Sequence, residues 1–135
     1  MGEHRTITFL LNGMVFEYDE DKNQANIKKH GISFKTAARV FFDYDRIEFY
    51  DETNSIDEDR FDVIGSTTAG NAFFSNANEI DELNTPPHSL DDVLYVVYTE
   101  RKQVNVNHRL QYITRIISAR LATSFERGLY YGKQG

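Results

Sequence analysis

Thr6-Ile7-Thr8-Phe9-Leu10-Leu11-Asn12-Gly13-Met14-Val15-Phe16-Glu17-Tyr18-Asp19-Glu20-Asp21 sets the direction of the fold. Two runs of apolar, β-branched and aromatic residues, Thr6 to Leu11 and Met14 to Tyr18, flank Asn12-Gly13. Asn and Gly both tolerate positive φ, so this dipeptide between two such runs signals a two-residue β-hairpin. Asp19-Glu20-Asp21 then crowds acid where a helix N-terminus favours negative charge. The helix is expected to run to about His30, with Gly31 as a left-handed cap. Within it Lys22, Asn26 and Lys29 recur at i, i+4 and i+7 and share one face.

Downstream of the hairpin and helix, Ser33 is a suitable N-cap for a second helix. Phe34, Ala37, Ala38 and Phe41 give that helix a core-facing stripe. Ile47–Tyr50 reads as a short strand, Asn54–Asp59 as an acidic turn, and Arg60–Gly65 as a strand with one wet face. Leu94–Thr99 is almost continuously apolar, as in a central strand buried on both faces, and Tyr112–Ser118 is a further strand. Thr123-Ser124-Phe125-Glu126 is a capping box that opens a short C-terminal helix through about Tyr131. The order is hairpin, two helices, three or four further strands of an antiparallel sheet, and a short C-terminal helix, which makes the class α+β. Residues 76–91, acidic and holding Pro86 and Pro87, are expected to form a long mobile loop, and residues 102–110 a shorter one.

The chain of 135 residues and 40% hydrophobic content suits a single globular domain, 1–135. No apolar run reaches the ~20 residues that span a bilayer, and the N-terminus does not read as a signal peptide, so a cytoplasmic location is expected. The absence of Cys excludes disulfides, thiolate metal sites and a cysteine nucleophile. The net charge of −6 is unevenly spread. Residues 1–42 carry a net +1, residues 43–92 a net −12 and residues 93–135 a net +5. A basic frame around one acidic middle directs attention to a basic site, although the middle could equally be a solubilising loop.

His4, His30, His88 and His108 show no metal-ligand spacing, and neither a phosphate loop nor a Gly-x-Ser-x-Gly elbow is present. No metal and no cofactor are expected. The remaining constellation is arginine on strands. Arg60 starts one strand, Arg101 ends the next, and Arg115 and Arg120 flank the last. Clustered guanidiniums suit a phosphate, because each offers a planar fork of donors and keeps its charge. The alternative is that each pairs with one of the many carboxylates in an ordinary surface salt bridge.

Phe16-Glu17-Tyr18-Asp19 with Lys22, Asn26 and Lys29-His30-Gly31 resembles the opening of the BrnT toxins. Ser33-Phe34 with Ala37-Ala38-Arg39-Val40-Phe41 is similar to the segment that follows, and Asp59-Arg60-Phe61 with Ile64-Gly65 to the middle. Val97-Tyr98-Thr99-Glu100-Arg101, Arg115-Ile116-Ile117-Ser118-Ala119-Arg120, Glu126-Arg127 and Tyr130 resemble the end. This chain has Tyr18 where the family usually has Trp, and it adds an N-terminal strand. The family is also typically more basic than a chain of pI ≈ 5.1.

The resemblance covers most of residues 15–131 and implies the toxin half of a type II toxin–antitoxin pair, with a RelE-like ribonuclease fold. It implies metal-independent RNA cleavage that arrests translation. It further implies a BrnA-like, DNA-binding antitoxin, a toxin homodimer within the complex, and repression of the operon by that complex. On this reading His30 is a candidate acid or base, or else a helix cap. Arg60, Arg101 and Arg120 are candidates for phosphate and transition-state contacts. Lys22, Lys29, Arg115 and Tyr130 are candidates for binding RNA. The rival reading is a partner-binding module or degenerate toxin of the same fold.

Overall fold

The computed structural model describes residues 5–68 and 93–134. His4, His88 and the expected acidic loop at 76–91 lie outside the described residues. Six strands form one sheet in the order β1-β2-β6-β5-β4-β3. In chain order they are β1 (Thr6–Leu11), β2 (Met14–Asp19), β3 (Ile47–Tyr50), β4 (Phe61–Ser66), β5 (Val93–Val104) and β6 (Leu110–Leu121). Helix α1 spans Glu20–His30, α2 spans Phe34–Ala37 and continues as a 3-10 turn over Ala38–Phe42, and α3 spans Ser124–Gln134. The α+β class and the order of elements agree with the sequence.

The N-terminal hairpin forms as its turn chemistry requires. Leu11 pairs with Met14, and Asn12 and Gly13 take φ of 48° and 87°, the two positive values of a type I′ turn. The Asp19 side chain caps α1 by accepting from the Asp21 amide at 2.9 Å, and Gly31, at φ 75°, closes it. Glu20 and Asp21 in the first turn and Lys28, Lys29 and His30 in the last complement the helix dipole.

Three features differ from the sequence reading. The hairpin is part of the main sheet, because β2 pairs in parallel with β6 over Val15–Glu17, so the sheet is mixed. The second helix is one α turn followed by a 3-10 turn, although its expected stripe is buried: Phe34, Ala37 and Ala38 are fully enclosed and Phe41 nearly so. The expected loop at 102–110 is shorter than read: β5 continues to Val104, β6 starts at Leu110, and the turn is confined to 105–109. That ribbon projects past the other strands and is wet on both faces, so it carries no hydrophobic contrast for a period-two pattern to show.

The core lies on the face of the sheet covered by α2 and the 3-10 turn. Phe16, Tyr18, Val63, Val96, Tyr98, Ile116 and Ala119 meet Ile32, Phe34, Val40 and Phe41 there. Gly65 allows the 3-10 turn to come this close, since a Cβ on it would stand 3.1 Å from the Val40 Cβ and 3.2 Å from the Val40 carbonyl.

Two irregularities in β6 fix the site described below. Val97 pairs with Ser118 but Tyr98 with Ile116, so Ile117 is an extra residue, a β-bulge. Beyond the bulge β2 no longer accompanies β6, and α1 takes its place. The Asn26 amide donates to the Ala119 carbonyl at 2.8 Å and accepts from the Ala119 N–H at 3.2 Å, and it also donates to the Ile32 carbonyl at 3.0 Å. Asn26 is therefore turned inward, while Lys22 and Lys29 on its flank are exposed. Asn23 accepts from the Phe34 amide at 2.8 Å and joins α1 to α2 in the same way.

Removal of the Asn26 side chain leaves three buried backbone groups without that partner. Asn26→Ala is expected to cost about 2–4 kcal/mol, which lowers Tm by about 10 °C for a chain of this size. A change of under about 2 °C in a thermal melt would contradict this role for Asn26.

Candidate nucleic-acid interface

The second face of the sheet carries the arginines. Residues opposite one another in a ladder share a face, and faces alternate along each strand. Arg115 stands opposite Thr99, and Arg120 opposite Tyr95. Tyr95, Val97, Thr99 and Arg101 follow one another on that face of β5, so Arg101, Arg115 and Arg120 all project from it. Arg115 and Arg120 are five residues apart and would point to opposite faces of a regular strand. The extra residue Ile117 brings them to the same one. Asp62 of β4, opposite Val97, lies on this face too, and alternation places Arg60 there at its margin. At roughly 3.3 Å per residue, the stripe from Tyr95 to Arg101 is about 20 Å long.

Each guanidinium has a carboxylate. Glu17 is 3% exposed. Arg101 grips it with two hydrogen bonds of 2.9 Å, from Nε and Nη2, and Arg115 approaches it at 3.3 Å. The hydrogen bonds from Arg101, with the Arg101 and Arg115 charges, hold the Glu17 carboxyl below its ordinary value despite burial. Arg120 makes two hydrogen bonds to Glu126 of α3, at 2.8 and 2.9 Å, and its guanidinium stacks 4.2 Å from the centre of the Tyr95 ring. Those bonds likewise lower the Glu126 carboxyl. Arg60 reaches Glu58 at 3.6 Å and lies in the field of Asp51. The salt-bridge alternative is thus correct for the ground state. Even so, the side chains of Arg101 and Arg115 stay 49% and 30% exposed, so their forks are only partly occupied.

The sequence reading missed Asp62 and Tyr95. Asp62 is 2% exposed, accepts a hydrogen bond from the Tyr95 hydroxyl, and lies against the Asp51 carboxyl, with which it shares a hydrogen bond once one of the two is protonated. Burial pushes the Asp62 carboxyl up to about 6, the hydrogen bond with Asp51 and the Asp51 charge add to the rise, and the Tyr95 hydroxyl and Arg120 act against it. A lone Asp in an alternating strand gives no sign of this, because the effect arises from neighbours on β5, β6 and the turn after β3.

The other expected site residues are placed elsewhere. His30 ends α1 beside Gly31, and with Lys22 and Lys29 it belongs to that helix and not to the strands that carry the arginines. Tyr130 is 4% exposed beneath α3, where its hydroxyl donates to Asp43 at 2.5 Å. Asp43 is fully buried and also accepts from the Ser66 and Asp45 amides, so Tyr130 serves to dock α3. Tyr130, expected as an RNA-binding residue, is thus enclosed in this packing and not displayed with the arginines. A cavity of about 270 Å³ lined by Asn54, Ile56, Asp57, Glu58 and Arg60 has an acidic rim, unsuited to an anion. Among the described residues no three His, Asp or Glu side chains are grouped to hold a metal ion, and no helix is long and apolar enough to cross a membrane.

The ionisation of Asp62 sets a pH dependence. Its folded value lies above the ordinary 3.8, so its contribution to stability is fully present below 3.8 and is lost as pH rises to about 6. Asp62→Asn cannot ionise. Its stability relative to wild type is expected to grow by up to about 3 kcal/mol between pH 4 and pH 7. Urea denaturation at the two pH values checks this, and a pH-independent difference would contradict the burial of a charged group.

Residues 18–79 match the model of a family described as ribonuclease toxin, BrnT, of type II toxin-antitoxin system. No curated protein matches the chain. The matched segment includes α1, Asp51, Arg60 and Asp62, while Tyr95, Arg101, Arg115 and Arg120 lie beyond it. Over that segment the chain is similar to ribonuclease toxins that act with an antitoxin partner.

Proposed function

We propose that this protein is a ribonuclease toxin that holds RNA on the arginine-bearing face of its sheet and cleaves it without a metal ion. The observation that carries the reading is the shared face of Arg101, Arg115 and Arg120, together with the family match. RNA presents phosphates along a flexible backbone, and phosphate contacts supply much of the affinity for it. A stripe of partly exposed guanidiniums answers to that chemistry. When the 2′-hydroxyl attacks the adjacent phosphorus, charge grows on the non-bridging oxygens, and a fixed guanidinium stabilises it. Arg120, braced by Glu126 and Tyr95, is positioned as such a group. Lys22, Lys29 and His30 extend the basic surface along α1, which Asn26 fastens to the residue before Arg120.

RNA bound here has to compete with Glu17 for Arg101 and Arg115. Affinity is therefore expected to fall steeply with salt. By its likeness to the family, the protein is inhibited by a BrnA-like DNA-binding antitoxin that assembles with a toxin dimer and represses the operon. Cleavage of cellular RNA then arrests translation in the cytoplasm. The paired state of the arginines favours a second reading, a partner-binding module that no longer cleaves.

Purified protein incubated with RNA in EDTA separates the two readings. Cleavage is expected to persist with chelator, and to fall about 100-fold in Arg120→Ala and further in Arg101→Ala/Arg120→Ala. Activity that vanishes with EDTA and returns with a divalent ion would remove the metal-free mechanism. Full activity in a folded double variant would remove the arginine face as the site.

A further inference from the structure

Asp62 is a charged group kept in an expensive place. Its carboxyl is enclosed on the arginine-bearing face against a second carboxyl, Asp51, and the two can share a hydrogen bond only when one of them holds a proton. An ionised carboxylate without full hydrogen bonding destabilises the fold, and such groups concentrate where chemistry needs them. The geometry connects it outward through one residue. The Tyr95 hydroxyl donates to Asp62 Oδ2, and the Tyr95 ring lies against the guanidinium of Arg120. Tyr95 is half-buried and the Arg120 side chain is 37% exposed. A phosphate on Arg120 therefore meets the tyrosine, whereas Asp62 behind it stays out of reach.

We propose that Tyr95 and Asp62 form a proton relay that removes the 2′-hydroxyl proton of a ribonucleotide whose phosphate is held by Arg120. The proposal rests on the ribonuclease reading and supplies its general base. The 2′-oxygen forms a bond to the adjacent phosphorus as the bond from phosphorus to the 5′-oxygen breaks. The 2′ proton passes to the Tyr95 oxygen while the Tyr95 proton passes to Asp62. Water protonates the departing 5′-oxygen, and the products are a 2′,3′-cyclic phosphate and a 5′-hydroxyl. Asp62 then returns its proton to solvent through Tyr95. No oxidant, reductant or metal enters the balance.

The electrostatics suit a relay better than a tyrosinate base. Burial and the Asp62 carboxylate hold the Tyr95 hydroxyl protonated well above its ordinary value, so it passes a proton on in the same step as it receives one. Asp62, pushed up to about 6, is close to neutrality, where a general base is most effective. The groups that face it are Asp51 from the turn after β3, Tyr95 from β5 and Arg120 from β6. Arg60 acts on Asp51, and Glu126 acts on Tyr95 and Arg120.

The test is single-turnover cleavage of an oligoribonucleotide between pH 4.5 and 8.5 by wild type, Tyr95→Phe and Asp62→Asn. The wild-type rate is expected to rise through about pH 6 to a plateau. Both variants are expected to be about 100-fold slower at pH 7.5 with RNA affinity within about twofold, and Asp62→Asn to lose the limb near 6. Folded variants that cleave within about threefold of wild type, with the limb intact, overturn the relay and leave the ribonuclease reading standing. A wild type that cleaves no RNA at any pH overturns that reading and the relay with it. Carbon-detected NMR titration of the wild-type Asp62 carboxyl gives a check that needs no variant. A midpoint near 6 supports the relay, and one at the ordinary 3.8 overturns it.

Discussion

One extra residue in β6 governs the arrangement of the functional face. Without Ile117 as a bulge, Arg115 and Arg120 would project from opposite faces of the sheet, and Ile116 and Ala119 would not both turn into the core. A bulge bends and twists a strand locally and interrupts its ladder, so it needs support from outside the sheet. β2 accompanies β6 only as far as Arg115. Past the bulge the Asn26 side chain takes up both the N–H and the C=O of Ala119, as a neighbouring strand would. The start of α1 straight after β2, set by the Asp19 cap, is what delivers Asn26 to that position.

Around this device the open face is balanced in charge. Glu17, Asp62 and Glu126 stand among Arg101, Arg115 and Arg120. The Arg101–Glu17 pair joins β5 to β2 and the Arg120–Glu126 pair joins β6 to α3. The same guanidiniums thus hold the sheet together and face solvent. A phosphate is an alternative acceptor for a fork that a carboxylate already orients. Such a site is pre-formed, so little side-chain ordering is left to oppose binding. The acidity of the chain is concentrated in residues 43–92, which hold 14 Asp and Glu, whereas β5 and β6, the strands that carry Arg101, Arg115 and Arg120, lie outside that segment.

Much of the fold was legible in short signals that act locally. Asn12-Gly13, Asp19 and Gly31 each fix a backbone geometry by their own chemistry, and each is placed as expected. The stripe from Phe34 to Phe41 is buried although its helix tightens into a 3-10 turn. What escaped the sequence depends on partners distant in the chain. The parallel pairing of β2 with β6 joins residues about a hundred positions apart. The β5–β6 ribbon is exposed on both sides at its tip, with apolar and polar residues mixed, so Lys102–Val104 and Leu110 resembled a loop. For the site, the arginines were recognisable by type. Their shared face was not, because a bulge leaves no mark in composition. Tyr130 gave no sign that Asp43 would claim its hydroxyl, and Asp62 gave none of its burial.

The central claim is that RNA lies along the face shared by Arg101, Arg115 and Arg120. NMR shift mapping with an oligonucleotide whose 2′-hydroxyls are blocked against cleavage tests it most directly. The account expects the largest shifts at Tyr95, Thr99, Arg101, Arg115, Ser118 and Arg120, with smaller ones at Lys22 and Lys29. Shifts confined to the turn at 51–60 or to the ribbon tip at 105–109, with the open face silent, would contradict it.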